Sequence, residues 1–148
     1  MNPTQQIPLQ ILLAEDDPDD RFFFENALKQ IPIETQLHVV KDGEGLMEYL
    51  SVHIENLPDV LFLDLSMPRK TGFECLTEIK ENEKMKELPV VVFTTSFGRS
   101  SEFEQGMIET LVHIGAQEYV RKPDDVEELK KIIHASLNRV LEKIPDNE

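Results

Sequence analysis

Four places in the chain set a reactive side chain at the end of a strand-like run. Glu15 and Asp16 follow residues 9–13, and Asp64 follows Val60-Leu61-Phe62-Leu63. Thr94 follows Val90-Val91-Val92-Phe93, and Lys122, with Pro123 after it, closes a short run that contains Tyr119 and Val120. Three carboxylates brought together repel one another, so either their pKa values rise or a cation sits among them. An oxygen-only set open to water suits a hard octahedral ion such as magnesium. An ammonium and a hydroxyl beside such a set are tools for a phosphoryl group, one supplying positive charge and the other a hydrogen-bond donor. A carboxylate placed among metal, hydroxyl and ammonium is a nucleophile, and its product is an acyl phosphate.

Each residue alone has a bland reading. Asp64 can end a strand or cap a helix, and residues 15–17 can be an acidic helix start. Thr94 can satisfy local backbone, and Lys122 can be a solvated lysine. Their joint placement carries the argument, because it requires one sheet edge to hold all of them.

The elements that would do this are legible. Residues 9–13 and 60–63 are continuous apolar runs, the mark of strands buried on both faces of a parallel sheet. Residues 33–40 read as a second strand, 89–93 as a fourth, and 117–120 as a short polar fifth at the sheet edge. Between them lie helical patterns. Asp17 caps the first helix with Pro18 in its opening turn, and Phe23, Phe24, Ala27, Leu28 and Ile31 form its core face. Asp42-Gly43-Glu44-Gly45 opens the second, with Leu46, Met47, Leu50 and Ile54 inward. Thr71 and Glu74 have capping-box spacing at the third, which carries Phe73, Leu76 and Ile79. Ser101 and Glu104 repeat that spacing ahead of Phe103, Met107, Ile108 and Leu111, and this fourth helix ends near Gly115. The last helix turns Val126, Leu129, Ile132, Ile133, Leu137, Val140 and Leu141 to the core. Five strands alternating with five helices call for a parallel sheet with right-handed crossovers and helices on both faces. In such sheets chemistry gathers beyond the carboxyl ends of the strands.

The bulk properties narrow the function. A chain of 148 residues is expected to be one domain, with residues 1–8 a disordered lead and the tail from Pro145 too short for another. Fifteen basic against 29 acidic residues give a net charge of −14, which argues against direct nucleic-acid binding. The lone Cys75 forms no internal disulfide and fits a reducing compartment. No apolar run is long enough to span a membrane, and the N-terminus is unlike a signal peptide, so a cytoplasmic location is expected.

The segments Glu15-Asp16-Asp17-Pro18, Phe62-Leu63-Asp64-Leu65-Ser66-Met67-Pro68, Val91-Val92-Phe93-Thr94-Thr95-Ser96 and Lys122-Pro123 together resemble the receiver domain of bacterial two-component response regulators. The resemblance covers roughly residues 9–142 of a single receiver domain over 1–148, without an output domain. It implies a flavodoxin-like (CheY-like), doubly wound five-stranded parallel sheet in order 2-1-3-4-5. It further implies that Asp64 accepts a phosphoryl group from a sensor histidine kinase or phosphotransfer protein. Mg2+ would be held by Glu15, Asp16, Asp64 and the backbone carbonyl of Ser66. Thr94 would be the switch hydroxyl, Lys122 the partner of the phosphate, Tyr119 the aromatic switch, and Pro123 would follow a cis peptide. Such a protein is a signalling switch and not a metabolic enzyme. Its downstream target is a protein left open by the sequence, and a homodimer through the face of the fourth helix, fifth strand and fifth helix is compatible with it. Glu-Asp-Asp-Pro and Thr-Thr-Ser most resemble short single-domain regulators serving phytochrome-type and related kinases.

Some features depart from the pattern. Thr95 stands where the family usually has a smaller residue, and with Ser66 and Ser96 it predicts that the phosphoryl group is lost more slowly than in the family's fastest members. Twenty-five positions separate Thr94 from Tyr119, a surplus expected around residues 97–101. A haloacid-dehalogenase-like phosphatase uses similar groups, but Asp64-Leu65-Ser66 lacks the second aspartate of its Asp-x-Asp pair. A receiver-like scaffold that is not phosphorylated is the other alternative, and the intact acidic pair argues against it. His38, His53, His113 and His134 have no ligand or nucleophile spacing. Arg69 and Lys70 read as solvated, and Cys75 as a buried, inert thiol.

Overall fold

The computed structural model describes residues 7–95 and 101–143. Residues 1–6 of the expected disordered lead, Ser96, most of the surplus at 97–101, the Ser101 side chain of the second capping box, and the tail lie outside the described residues. Ten elements alternate: β1 (Leu9–Ala14), α1 (Pro18–Lys29), β2 (Thr35–Val40), α2 (Gly43–Val52), β3 (Val60–Leu63), α3 (Gly72–Glu81), β4 (Val90–Thr94), α4 (Ser101–Ile114), β5 (Glu118–Arg121) and α5 (Val126–Lys143). The five strands form one parallel sheet in the order β2-β1-β3-β4-β5, as expected, with β5 at an edge. β2 begins two residues later than the sequence suggests, because Ile33 donates its N–H to the Ile31 carbonyl at 2.8 Å and closes a turn there.

Side chains alternate across a strand with period two, and the sheet divides its apolar residues accordingly. Ile11, Leu13, Val60, Phe62, Val91 and Phe93 face α1 and α5, where Phe24, Leu28, Leu129, Ile133 and Leu137 meet them. Leu12, Ala14, Leu61, Leu63, Val90 and Val92 face α2, α3 and α4, against Leu46, Leu50, Leu76, Ile79 and Leu111. β1, β3 and β4 are therefore apolar at consecutive positions, while edge strand β2 alternates between half-buried and exposed residues through most of its length.

The helix starts follow the sequence closely. The Asp17 side chain accepts from the Asp19 N–H at α1, and Asp42 accepts from the Gly45 N–H at α2. At α3 the reciprocal Thr71–Glu74 capping box is complete. The core faces need three corrections. Phe23 is 46% exposed, Phe103 41% and Leu141 40%. Successive helical residues lie about 100° apart. Of the consecutive Phe22, Phe23 and Phe24, only Phe24 is buried. Phe103 is about 80° round α4 from buried Leu111, and Leu141 about 100° past Val140, so both reach the rim of the apolar stripe.

Candidate functional site

The parallel ladders continue one residue beyond the strands, and this aligns the reactive residues. Glu15 N–H donates to the Val40 carbonyl at 3.0 Å, Asp64 N–H to the Ala14 carbonyl at 3.1 Å, and Lys122 N–H to the Thr94 carbonyl at 2.8 Å. Backbone pairing thus sets the acidic loop, the Asp64 loop and the Lys122 loop along one edge. The Arg21 guanidinium braces the acidic loop from α1, donating to the carbonyls of both Glu15 and Asp16 at 3.0 Å.

The loop after β3 is held from behind. Leu65 and Met67 are buried anchors. A Cβ on Gly72 would lie 2.6 Å from the Asp64 carbonyl oxygen and 2.7 Å from Leu65 Cα, so only glycine allows α3 to start this close. At the loop's crest Arg69 adopts a left-handed φ of 72°, unusual for a side-chain-bearing residue. Its guanidinium reaches Asp42 at 3.4 Å and Glu44 at 3.8 Å, while Lys70 pairs with Glu78.

Asp64 is 4% exposed and engaged on both oxygens. Its Oδ1 accepts from the Ser66 N–H and from the Thr94 hydroxyl, both at 3.0 Å. Its Oδ2 faces the Lys122 ammonium at 3.3 Å. The same ammonium donates to Glu15 Oε1 at 2.5 Å and Asp20 Oδ2 at 2.9 Å, and lies 5.6 Å from the centre of the Phe93 ring. Carboxylate oxygens of Glu15, Asp16 and Asp64 lie within 4.8 Å of one another, with Glu15 and Asp64 buried and Asp16 exposed.

Crowding of like charge splits the acids. Burial pushes the Glu15 carboxyl up to about 8, and the hydrogen bond and charge of Asp64 outweigh the opposing pull of Lys122. Burial also works against ionised Asp64. Hydrogen bonds from Glu15 and the Ser66 N–H, the Lys122 charge and the Thr94 hydroxyl more than offset it, and Asp64 ends below its ordinary range. Burial disfavours the charged Lys122, but Glu15, Asp20 and Asp64 overcome it and hold its pKa above the usual value. The crowding thus pushes the two carboxyls apart, Asp64 toward its ionised form and Glu15 toward its protonated one. The donor set fits a hard divalent cation: all ligands are oxygens, one faces water, and their mutual repulsion is what a cation relieves.

Glu15, Asp16, Asp64, Thr94 and Lys122 thus meet as the sequence suggests. Tyr119 lies apart from them. Its hydroxyl donates to Glu104 Oε2 at 2.9 Å, and Arg121 pairs with the same carboxylate. Burial, then the Glu104 hydrogen bond, pushes the Tyr119 phenol up to about 12. The Lys122–Pro123 peptide is trans, contrary to expectation. The two isomers of such a bond differ intrinsically by only about 0.5–1 kcal/mol, so local sequence does not select one. Asp20 and Arg21 were not anticipated. Both lie in the first turn of α1, where an acid reads as a helix-dipole residue; the signal available was that Lys122 has three donors to satisfy.

The sequence profile of the response regulator receiver domain matches residues 11–134. The chain belongs to this family. Receiver domains are signalling modules of two-component systems, not metabolic enzymes, and they accept phosphoryl groups from histidine kinases and bind divalent metal in an acidic pocket. The chain is 33% identical over 138 residues to response regulator Rcp1 of Synechocystis sp., covering 90% of this chain and 89% of that protein. The structure of Rcp1 in its Mn2+-bound form superposes with a TM-score of 0.77 at 30% identity, covering 95% of this chain and all of the other. That of the phosphorylated cyanobacterial phytochrome response regulator RcpA gives 0.78 at 28% identity, over 94% and 98% of the two chains. Among the described residues no helix is long and apolar enough to cross a membrane.

Proposed function

We propose that this receiver takes its phosphoryl group on Asp64, from the phosphohistidine of a phytochrome-type or related histidine kinase. The observation that carries the assignment is the setting of Asp64. It is a buried carboxylate whose two oxygens meet a hydroxyl, a backbone N–H and an ammonium, with Glu15 and Asp16 alongside. In transfer, an Asp64 oxygen forms the new P–O bond as the P–N bond breaks, and the electron pair leaves with the imidazole nitrogen. The Lys122 ammonium offsets charge on the incoming phosphoryl oxygens, and the Thr94 hydroxyl exchanges its Asp64 acceptor for one of them. Glu15, Asp16, Asp64 and the Ser66 carbonyl are the proposed ligands of Mg2+, which when bound supplies positive charge to the same oxygens.

The switch proposed for the phosphorylated state runs from Thr94 to Tyr119. Withdrawal of the hydroxyl opens space behind it, and Tyr119 leaves Glu104 to fill that space. The face of α4, β5 and α5 then changes for its protein partner. The kinase class is inferred from RcpA and from the bacteriophytochrome response regulator AtBRR, 27% identical with a TM-score of 0.72.

The test is intact-mass spectrometry after incubation with Mg2+ and acetyl phosphate. One phosphoryl adduct is expected, dependent on Mg2+ and absent in Asp64→Asn. An adduct that survives in Asp64→Asn would move the acceptor elsewhere. No adduct, and no binding of beryllofluoride, would return the chain to the unphosphorylated-scaffold reading. Transfer from a phosphorylated phytochrome-type kinase, against an unrelated kinase, tests the donor.

A further inference from the structure

The Lys122 ammonium carries three N–H donors, and three carboxylates surround it. The nearest oxygens belong to Glu15 at 2.5 Å, Asp20 at 2.9 Å and Asp64 at 3.3 Å. The lysine side chain is 9% exposed, so water offers it little alternative. Two of its three partners, Glu15 and Asp64, also belong to the trio whose oxygens converge within 4.8 Å. A divalent cation there competes with the ammonium for those oxygens. Among the described residues, Asp20 is the one carboxylate partner of Lys122 outside the trio.

We infer that Asp20 is a positioning residue that holds Lys122 while Glu15 and Asp64 are given over to metal. Its place suits the role. It sits in the first turn of α1, fixed by the Asp17 cap and by Pro18, and it is close enough to the sheet edge to bond the lysine without joining the trio. Without Asp20, the ammonium has only the metal's own ligands to bond. Metal binding must then strip a buried cation of its partners. Asp20 separates the two demands on Glu15 and Asp64.

The inference rests on the metal reading of the trio, and a double-mutant cycle separates the two. Mn2+ alone is the probe, and binding is read from the electron paramagnetic resonance signal of the free ion. Asp20→Asn is expected to weaken Mn2+ binding about tenfold, within the range of coupling between contacting residues. In a Lys122→Met background the same substitution is expected to change the affinity less than about twofold, because no ammonium remains to be held. If Lys122→Met does not fold, Lys122→Gln completes the cycle. An equal loss in both backgrounds would show that Asp20 acts only as a negative charge, and would overturn the positioning role while leaving the metal reading intact. No Mn2+ binding by wild type, or undiminished binding by Asp16→Asn, would overturn the metal reading and this inference with it.

Discussion

Glu15 offers a direct thermodynamic test of the crowded site. Its carboxyl is 1% exposed, and its pKa is displaced from an ordinary 4.5 to about 8. A group whose folded pKa is raised contributes stability that is fully present below its unfolded pKa and is lost as pH rises through the folded one. In metal-free buffer the loss should therefore run from about pH 4.5 to about pH 8. Asp64 is displaced downward, so its contribution is already complete at pH 5 and does not enter this window. A tenfold change in proton affinity is worth about 1.4 kcal/mol. The Glu15 displacement thus sets an upper limit of roughly 5 kcal/mol, and proton sharing with Asp64 reduces it to about 2–3 kcal/mol. With a urea m-value of about 2 kcal/mol per molar, the wild-type midpoint should fall by about 1 M between pH 5 and pH 9 in EDTA. In Glu15→Gln, which has no proton to lose, most of that fall should vanish, and the variant should be the more stable protein at pH 9. Added Mg2+ should recover the wild-type midpoint at pH 9 and do little for the variant. Parallel pH profiles for wild type and Glu15→Gln in EDTA would refute the reasoning, because they would mean that Glu15 is ionised throughout.

The remaining predictions concern single contacts. Glu104→Ala removes the acceptor of the Tyr119 hydroxyl, and the Tyr119 titration should move down from about 12, seen as earlier phenolate absorbance at 295 nm. Cys75 is fully buried, and burial pushes its thiol up to about 11, so a disulfide reagent at pH 8 should label it only once urea is added. Phe24→Ala should cost about 3–5 kcal/mol by urea unfolding, because its ring meets those of Phe62 at 5.0 Å and Phe93 at 5.8 Å. Thr95→Ala should shorten the lifetime of the phosphorylated protein, followed by loss of the mass adduct; an unchanged lifetime would remove the steric role of Thr95.

What the sequence made legible was set by redundancy. Asp64 and Lys122 each follow a strand and Thr94 ends one, and a parallel sheet delivers every strand end to the same edge, so their meeting follows from topology alone. Asp20 was hidden because an acid in a helix's first turn already has a sufficient reason to be there. The exposure of Phe23 escaped because three consecutive phenylalanines offer more than one helical phase, and only the packed sheet selects Phe24. The Lys122–Pro123 isomer lay beyond reach for a different reason: the intrinsic preference is small and the surrounding structure decides it.

The ammonium of Lys122 ties together residues 107, 102 and 58 positions away in the chain. It is the last of the reactive groups to be synthesised, and the loop bearing it is positioned only when β5 has paired with β4. A chain that has folded β1 to β4 alone would carry Asp64, the proposed acceptor, without the cation that accompanies it. Under the proposed assignment, competence to accept a phosphoryl group on Asp64 would therefore depend on the pairing of the last strand.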